Sequence, residues 1–330
     1  MSREKKSLVI LTTHFGNNFS GGSSATTEIF SRLQEEFDQV IAIGTKLGDH
    51  QFRNFRFHRY RHWIDAVRLI RKLTTDRHVF YGDFYNAFFF ILARKPFYFT
   101  YHDNWPEIRR LNLRHYFLAF IYVPLYKWIF RKADHIVTVS AFKYEFIRRQ
   151  TSKITLIRNG YRKQMTVTPE QTGRLLMVGT IDKRKYRLAI PLIKELEAMG
   201  NVHVDIYGNA TDKRLARILS EFKSVALKGY SSDIPYTQYL ALVHPSFMEN
   251  LSIVFCEAVH QHLPVVAFDV GGAREVLHDD NALLIRPYDA KAMATACFSI
   301  VNDRKFQFDP SISADHDWNV ASKAYRKLMI

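Results

Sequence analysis

Short apolar, β-branched runs alternate with amphipathic stretches along this chain, and the alternation runs through once, pauses, and begins again. Runs of this kind suit strands covered on both faces, and alternation with helices makes the sheets parallel. In the first pass, strands are expected over 7–15, 39–45, 78–83, 97–103, 135–140 and 153–160. Helices are expected over about 25–37, 63–74 and 106–131. The last should be interrupted near Pro124, which lacks a backbone donor. In 63–74, Trp63, Val67, Ile70 and Leu73 fall near one face. Residues 163–173, KQMTVTPEQTG, have no period and read as a linker. Strands then resume over 174–180, 202–208, 224–230, 263–269 and 281–287, with helices over 186–199 and about 317–329. The expected architecture is α/β, two doubly wound halves with ligand sites beyond the carboxyl ends of their strands and a cleft between them.

Charge narrows the partner class. The formal net charge is +15, and residues 50–132 alone hold 16 Lys and Arg against 5 Asp and Glu, with 24 of the 47 aromatic residues. Such a surface asks for an anion: nucleic acid, anionic lipid or a phosphorylated substrate. Between Ile108 and Ala133 there is no acidic residue, while Arg109, Arg110, Arg114, Lys127, Arg131 and Lys132 alternate with Tyr116, Phe117, Phe120, Tyr122, Trp128 and Phe130. Basic residues mixed with Trp and Tyr suit an anionic membrane interface, and also single-stranded nucleic acid. The reading favours the membrane and expects no nucleic acid. Tyr116–Phe130 is too short and broken to span a bilayer. The apolar run after the basic N-terminus is too short for a signal peptide. A cytoplasmic, peripheral location is therefore expected. The two cysteines, Cys256 and Cys297, read as buried, reduced thiols.

The stretch from His244 to Gly272 carries the chemistry: HPSFMENLSIVFCEAVHQHLPVVAFDVGG. Ser252 can begin a helix that places Glu257 about one and a half turns in. The backbone N–H groups of Asn250, Leu251, Ser252 and Ile253 then lie where a phosphate can be held. Glu257 can accept from a vicinal diol such as ribose, and Glu249 from sugar hydroxyls. The elements Pro245-Ser246, Glu249, Glu257-Ala258, Pro264-Val265-Val266, Gly271-Gly272 and Glu275 together resemble the signature of the retaining glycosyltransferases of family 4. The resemblance implies a GT-B fold of two Rossmann-like domains, here 1–163 for acceptor and 174–316 for donor, with a C-terminal helix, 317–330, returning to the first. It also implies that Glu249 binds the donor sugar and Glu257 the nucleotide ribose. Retention there is discussed as front-face departure and attack, without an enzymic nucleophile.

Other positions join this set. Gly179 ends a strand and is followed by Arg184-Lys185, two cations suited to the charge that grows on a departing diphosphate. The family often has Arg directly after this glycine; Thr180 stands here instead. Gly16, Gly21 and Gly22 form a glycine-rich loop that can approach donor phosphates, although the spacing is not GxGxxG. His102-Asp103 end a strand, and in the family a His there lies near the reacting sugar. Ser140 reads as a helix N-cap and Asn159-Gly160 as a turn. Tyr230 and Asn159 complete the donor-binding candidates. No metal-ligand spacing is present, so neither cofactor nor metal is expected. The sequence reading is a retaining, metal-independent hexosyltransferase that takes a UDP-sugar or other nucleotide-sugar donor. Its acceptor is a saccharide, expected to be lipid-linked, in cell-surface or exopolysaccharide synthesis. The rivals are a nucleotide-sugar epimerase or phosphorylase, a nucleic-acid- or partner-binding protein, and an inactive accessory subunit on the same scaffold.

Overall fold

The structure, a computed structural model, describes residues 4–161, 172–200, 202–302 and 316–330. The chain divides into two compact units: Met1–Gly160 with Asp317–Ile330, and Tyr161–His316. Most of the expected linker, 163–173, lies outside the described residues.

The first unit is built on a seven-stranded sheet in the order β5-β3-β1-β6-β7-β8-β9. Its strands are β1 (Ser7–Leu11), β3 (Val40–Gly44), β5 (Phe55–Arg59), β6 (His78–Gly82), β7 (Tyr98–Tyr101), β8 (His135–Thr138) and β9 (Ile154–Leu156). All pairings are parallel. Parallel strands with neighbours on both sides are dry on both faces, and Leu8, Val9, Ile10 and Leu11 are each 0% exposed. The expected first strand, 7–15, ends at Leu11. His14–Phe15 is a separate short strand, β2, paired with β4 (Lys46–Leu47). β5 (FRFHR) has no apolar run to announce it. It forms at the sheet edge, where Arg56 and Arg59 stay in water, and charge there discourages further pairing.

Helices α1 (Gly21–Leu33), α2 (Trp63–Lys72), α3 (Phe88–Ala93), α4 (Leu113–Lys132) and α5 (Ala141–Arg148) belong to this unit. In α2 the core face is Ala66, Val67 and Ile70; Trp63 is 52% exposed, against the expectation that it shares that face. α4 runs unbroken through Pro124. Proline removes the donor for the Phe120 carbonyl four residues back, and Phe120 lies on an exposed flank where water can replace it. Ser140 caps α5 by accepting from the Lys143 N–H. The C-terminal helix (Trp318–Met329) belongs to the first unit. It buries Trp318 and Tyr325, and the Tyr325 hydroxyl shares a 2.8 Å hydrogen bond with Thr100 Oγ1 on β7.

The second unit has six parallel strands in the order β12-β11-β10-β13-β14-β15. They are β10 (Leu175–Val178), β11 (Val204–Tyr207), β12 (Val225–Gly229), β13 (Ala241–His244), β14 (Val265–Phe268) and β15 (Ala282–Ile285). Helices α6 (Lys183–Tyr186), α7 (Ala189–Met199), α8 (Lys213–Ser220), α9 (Ile253–His260) and α10 (Ala290–Asn302) accompany them. In each unit the strand order reverses once, beside β1 and β6 in the first and beside β10 and β13 in the second. Loops diverge at that point, and this is where ligands enter doubly wound sheets. In the second unit most candidate residues lie beside this point, while Tyr230 follows the edge strand β12; in the first unit His102 follows β7 and Asn159 follows the edge strand β9.

Candidate active site

In the second unit, β10 ends at Val178 and Gly179 follows with φ +141°, a backbone that disfavours any side chain. A Cβ there would also stand 2.8 Å from Cδ of Lys185. Asp182 caps the one-turn α6, accepting from the Lys185 N–H at 2.9 Å. Arg184 and Lys185 therefore sit in a capped helical turn just before the expected helix over 186–199, which is observed as Ala189–Met199. Across the switch point, β13 ends at His244, and the Phe247 N–H donates to the Arg184 carbonyl at 2.8 Å.

Glu249 is the centre of this arrangement. It is buried, and its Oε1 receives Ser246 Oγ at 2.8 Å, His244 Nε2 at 3.0 Å and Arg184 Nη1 at 3.2 Å, with Lys185 Nζ at 3.5 Å. Burial pushes the carboxyl up, but Lys185 and Arg184 outweigh it, with His244, and hold Glu249 well below the usual carboxylate range. Burial, helped by the same two cations, lowers His244 and keeps its imidazole neutral. A carboxylate fixed this way stays charged and oriented. Gly271, at φ +61°, lies against the Glu249 backbone where no Cβ fits, and the Gly272 N–H donates to the Asn250 carbonyl at 2.9 Å. The Gly-Gly turn thus holds the Glu249 loop from behind.

Glu257 lies in α9, as the sequence suggests. Its Oε2 accepts from the hydroxyl of the buried Tyr236 at 2.6 Å. Ser252 is the N-cap of α9 but makes no side-chain cap, so the first-turn amides take no help from it. Asn250, Leu251 and Ser252 are buried beside them. Gly179, Glu249, Asn250, Leu251 and Ser252 therefore lie in the loops that follow β10 and β13, and Arg184, Lys185, Ile253 and Glu257 in the helices α6 and α9 that those loops lead into. Tyr230 follows β12 at the far edge and is 40% exposed.

The first unit carries His102, Gly21, Gly22 and Asn159. Gly21 and Gly22 do not lie in a loop. They are the first residues of α1, behind a capping box in which Ser20 and Ser23 satisfy each other's N–H groups. The S-G-G-S pattern was the local signal for this start. A Cβ on Gly22 would stand 3.1 Å from Cβ of His102 and 3.0 Å from the Phe84 ring. His102 comes after β7 has ended, and its buried Nε2 has no hydrogen-bond partner among the described residues. Burial lowers its imidazole to about 4, so it is neutral and able to donate or accept. Asp103 accepts from the Tyr126 hydroxyl of α4. Asn159 is buried in irregular backbone after β9, not in a turn. Asp83, beyond β6, went unread in the sequence. It is buried, accepts from Thr26 Oγ1 at 2.7 Å, and burial raises it to about 7.

Residues 20–164 match the family described as Glycosyltransferase Family 4, and residues 172–303 match Glycosyl transferases group 1. The chain belongs to the family 4 glycosyltransferases. The fold of this glycosyltransferase is similar to that of sucrose-phosphate synthase from Thermosynechococcus elongatus, with a TM-score of 0.76 at 16% identity over 98% of this chain and 99% of that one. It is also similar to Anabaena HepE in complex with UDP and glucose, with a TM-score of 0.74 at 14% identity over 98% and 99%. In sequence, sucrose-phosphate synthase of Spinacia oleracea is 35% identical over 80 residues. That match takes in 22% of this chain and only 8% of the relative's length. No described helix is long and apolar enough to cross a membrane.

Proposed function

We propose that this glycosyltransferase moves a hexose from a nucleoside diphosphate sugar to a saccharide acceptor with retention of anomeric configuration and without a metal. The observation that carries the reading is the buried Glu249 carboxylate held by Lys185, Arg184, His244 and Ser246 beside the start of α9. In this reading the α9 amides and the two cations take the diphosphate, and Glu257, steadied by Tyr236, takes the ribose diol. Glu249 Oε1 is held by its four partners, and in this reading Oε2 accepts from donor sugar hydroxyls.

As the bond from the anomeric carbon to the diphosphate oxygen breaks, its electron pair stays on that oxygen. Negative charge grows where Arg184 and Lys185 already stand, so they stabilise the transition state more than the bound donor. The acceptor oxygen forms the new bond from the face the diphosphate leaves, and the acceptor proton goes to the departing phosphate. No enzymic nucleophile is required. The first unit takes the acceptor, and His102, neutral and with a free buried nitrogen, hydrogen-bonds hydroxyls there without acting as a base.

The base is proposed to be uracil. The similar Anabaena HepE structures are described as complexes with UDP and with UDP-glucose, which supports that choice. The similar galactosyltransferase WaaB is described as acting on the lipopolysaccharide outer core, which supports a cell-surface glycan as product. The test is calorimetric binding and donor hydrolysis across UDP-, GDP-, ADP- and dTDP-sugars with a chelator present. The expected result is one clear donor, with affinity lost in Glu257→Gln. No binding of any donor by the folded protein would overturn the reading and leave an accessory role.

A further inference from the structure

Helix α4 is apolar on two faces, and among the described residues only one of them is covered. Tyr126, Ile129 and Phe130 are buried, and Leu118, Ala119, Tyr122, Val123 and Leu125 pack against the first core. The other face leaves Leu113, Tyr116, Phe117, Phe120 and Ile121 at 71%, 49%, 60%, 67% and 63% exposure. Their spacing is that of one helical stripe. A soluble surface seldom gathers this much exposed apolar side chain without a purpose.

The charges around the stripe select its occupant. Arg109 and Arg110, on the turn before α4, and Arg114, within its first turn, are exposed beside Leu113. Arg131 and Lys132 are exposed at the far end, and no acidic residue occurs between Ile108 and Ala133. An apolar stripe with cations at both ends and no anion fits a plane that is greasy within and negative at its rim.

We propose that this face of α4 docks on an anionic lipid bilayer, with Leu113, Phe117, Phe120 and Ile121 in the acyl boundary and the arginines at the headgroups. A helix of 20 residues lying flat is long enough for both contacts. α4 also holds the acceptor side of the molecule through Tyr126, whose hydroxyl donates to Asp103 beside His102. Docking on the exposed face of α4 leaves the His102 loop on the helix's core side, about one helix diameter from the bilayer, which is within reach of the sugar of a lipid-linked saccharide. This inference rests on the proposed function for the acceptor's place in the first unit.

The experiment is co-sedimentation of the full chain with phosphatidylcholine vesicles, with and without phosphatidylglycerol, with UDP-sugar binding measured on the same preparations. Wild type should pellet with the anionic vesicles and lose binding as salt rises. Phe117→Ser with Phe120→Ser and Ile121→Ser should weaken vesicle binding by roughly tenfold or more, because affinity scales with the apolar area inserted. Arg109→Glu with Arg110→Glu and Arg114→Glu should release the protein from phosphatidylglycerol. Donor binding should be unchanged in both variants. Wild type that stays in solution, or a serine variant that binds as well as wild type, overturns the proposal even if donor binding is intact. So does a wild-type dimer that the serine substitutions convert to monomer without any vesicle binding, which would assign the stripe to a second copy. Salt-sensitive RNA binding in place of vesicle binding would overturn it equally. Loss of donor binding in wild type would instead strike the proposed function.

Discussion

At the scale of residues, the site depends on one carboxylate whose charge is secured by its neighbours. Removing both cations, Arg184→Ala with Lys185→Ala, strips the diphosphate of its counter-charge and leaves Glu249 buried with only His244 and Ser246. Turnover should fall by about 10²–10³, the usual effect of losing an electrostatic donor to a developing anion. Steady-state kinetics with the identified donor would check it; near-normal turnover would place the clamp elsewhere. Asp83 gives a different residue-scale prediction. Its folded pKa, about 7, lies above its ordinary value near 4, so the folded state holds the proton more tightly. Its contribution to stability is full below that ordinary value and is lost as pH rises through about 7. Asp83→Asn removes this dependence, so the variant should gain on wild type between pH 5 and 8, by about 2–3 kcal/mol at most. Urea midpoints at the two pH values would decide; parallel curves would refute the protonated carboxyl. The motif around Glu249 was readable because its members lie within one short stretch. The role of Tyr236 was not, since it stands 21 residues before Glu257 and meets it only after the loops fold.

At the scale of elements, the beginning of α1 is the instructive case. Glycine-rich sequence suggests a loop, yet the capping box draws Gly21 and Gly22 into the helix, because reciprocal serine bonds satisfy N–H groups that a helix start leaves orphaned. Inside a helix, Gly→Ala ordinarily stabilises by about 0.5–1 kcal/mol. Gly22→Ala should not, since the new methyl meets His102 and Phe84. It should lower turnover with the acceptor while leaving donor affinity intact. Stability and the kinetics of transfer against donor hydrolysis would separate these effects; unchanged transfer would remove His102 from the acceptor side. The single turn of α6 follows the same logic: Asp182 caps it, but periodicity over four residues is too brief to detect.

At the scale of the molecule, each unit has its own core, and the C-terminal helix contributes to the first. Trp318 is almost fully buried there, and Tyr325 packs edge-on against Phe30 and Tyr81. Trp318→Ala should destabilise by about 3–5 kcal/mol, the range for truncating a large buried aromatic. Hydrogen exchange should show lost protection in the first unit, with the second keeping its own. Equal loss in both would mean that the cores are not separate.

The sequence by itself determined the class of fold and the carboxylate motif. Hydrophobic period and motif spacing are local properties, carried by residues that covalent geometry already keeps near one another. Strand ends blurred for the same reason: a local pattern does not say where pairing with a neighbouring strand stops, as after Leu11 and after Tyr101. Only the tertiary structure decided which groups meet across the switch points. Glu249 gained Arg184 from 65 residues away because β10 and β13 are neighbours in the sheet, and strand order is not written in any local pattern. Burial made the remaining decisions. It raised Asp83 and lowered His102, while at Glu249 the cations Lys185 and Arg184 outweighed it, because the cost of a charge depends on what surrounds it once water is gone.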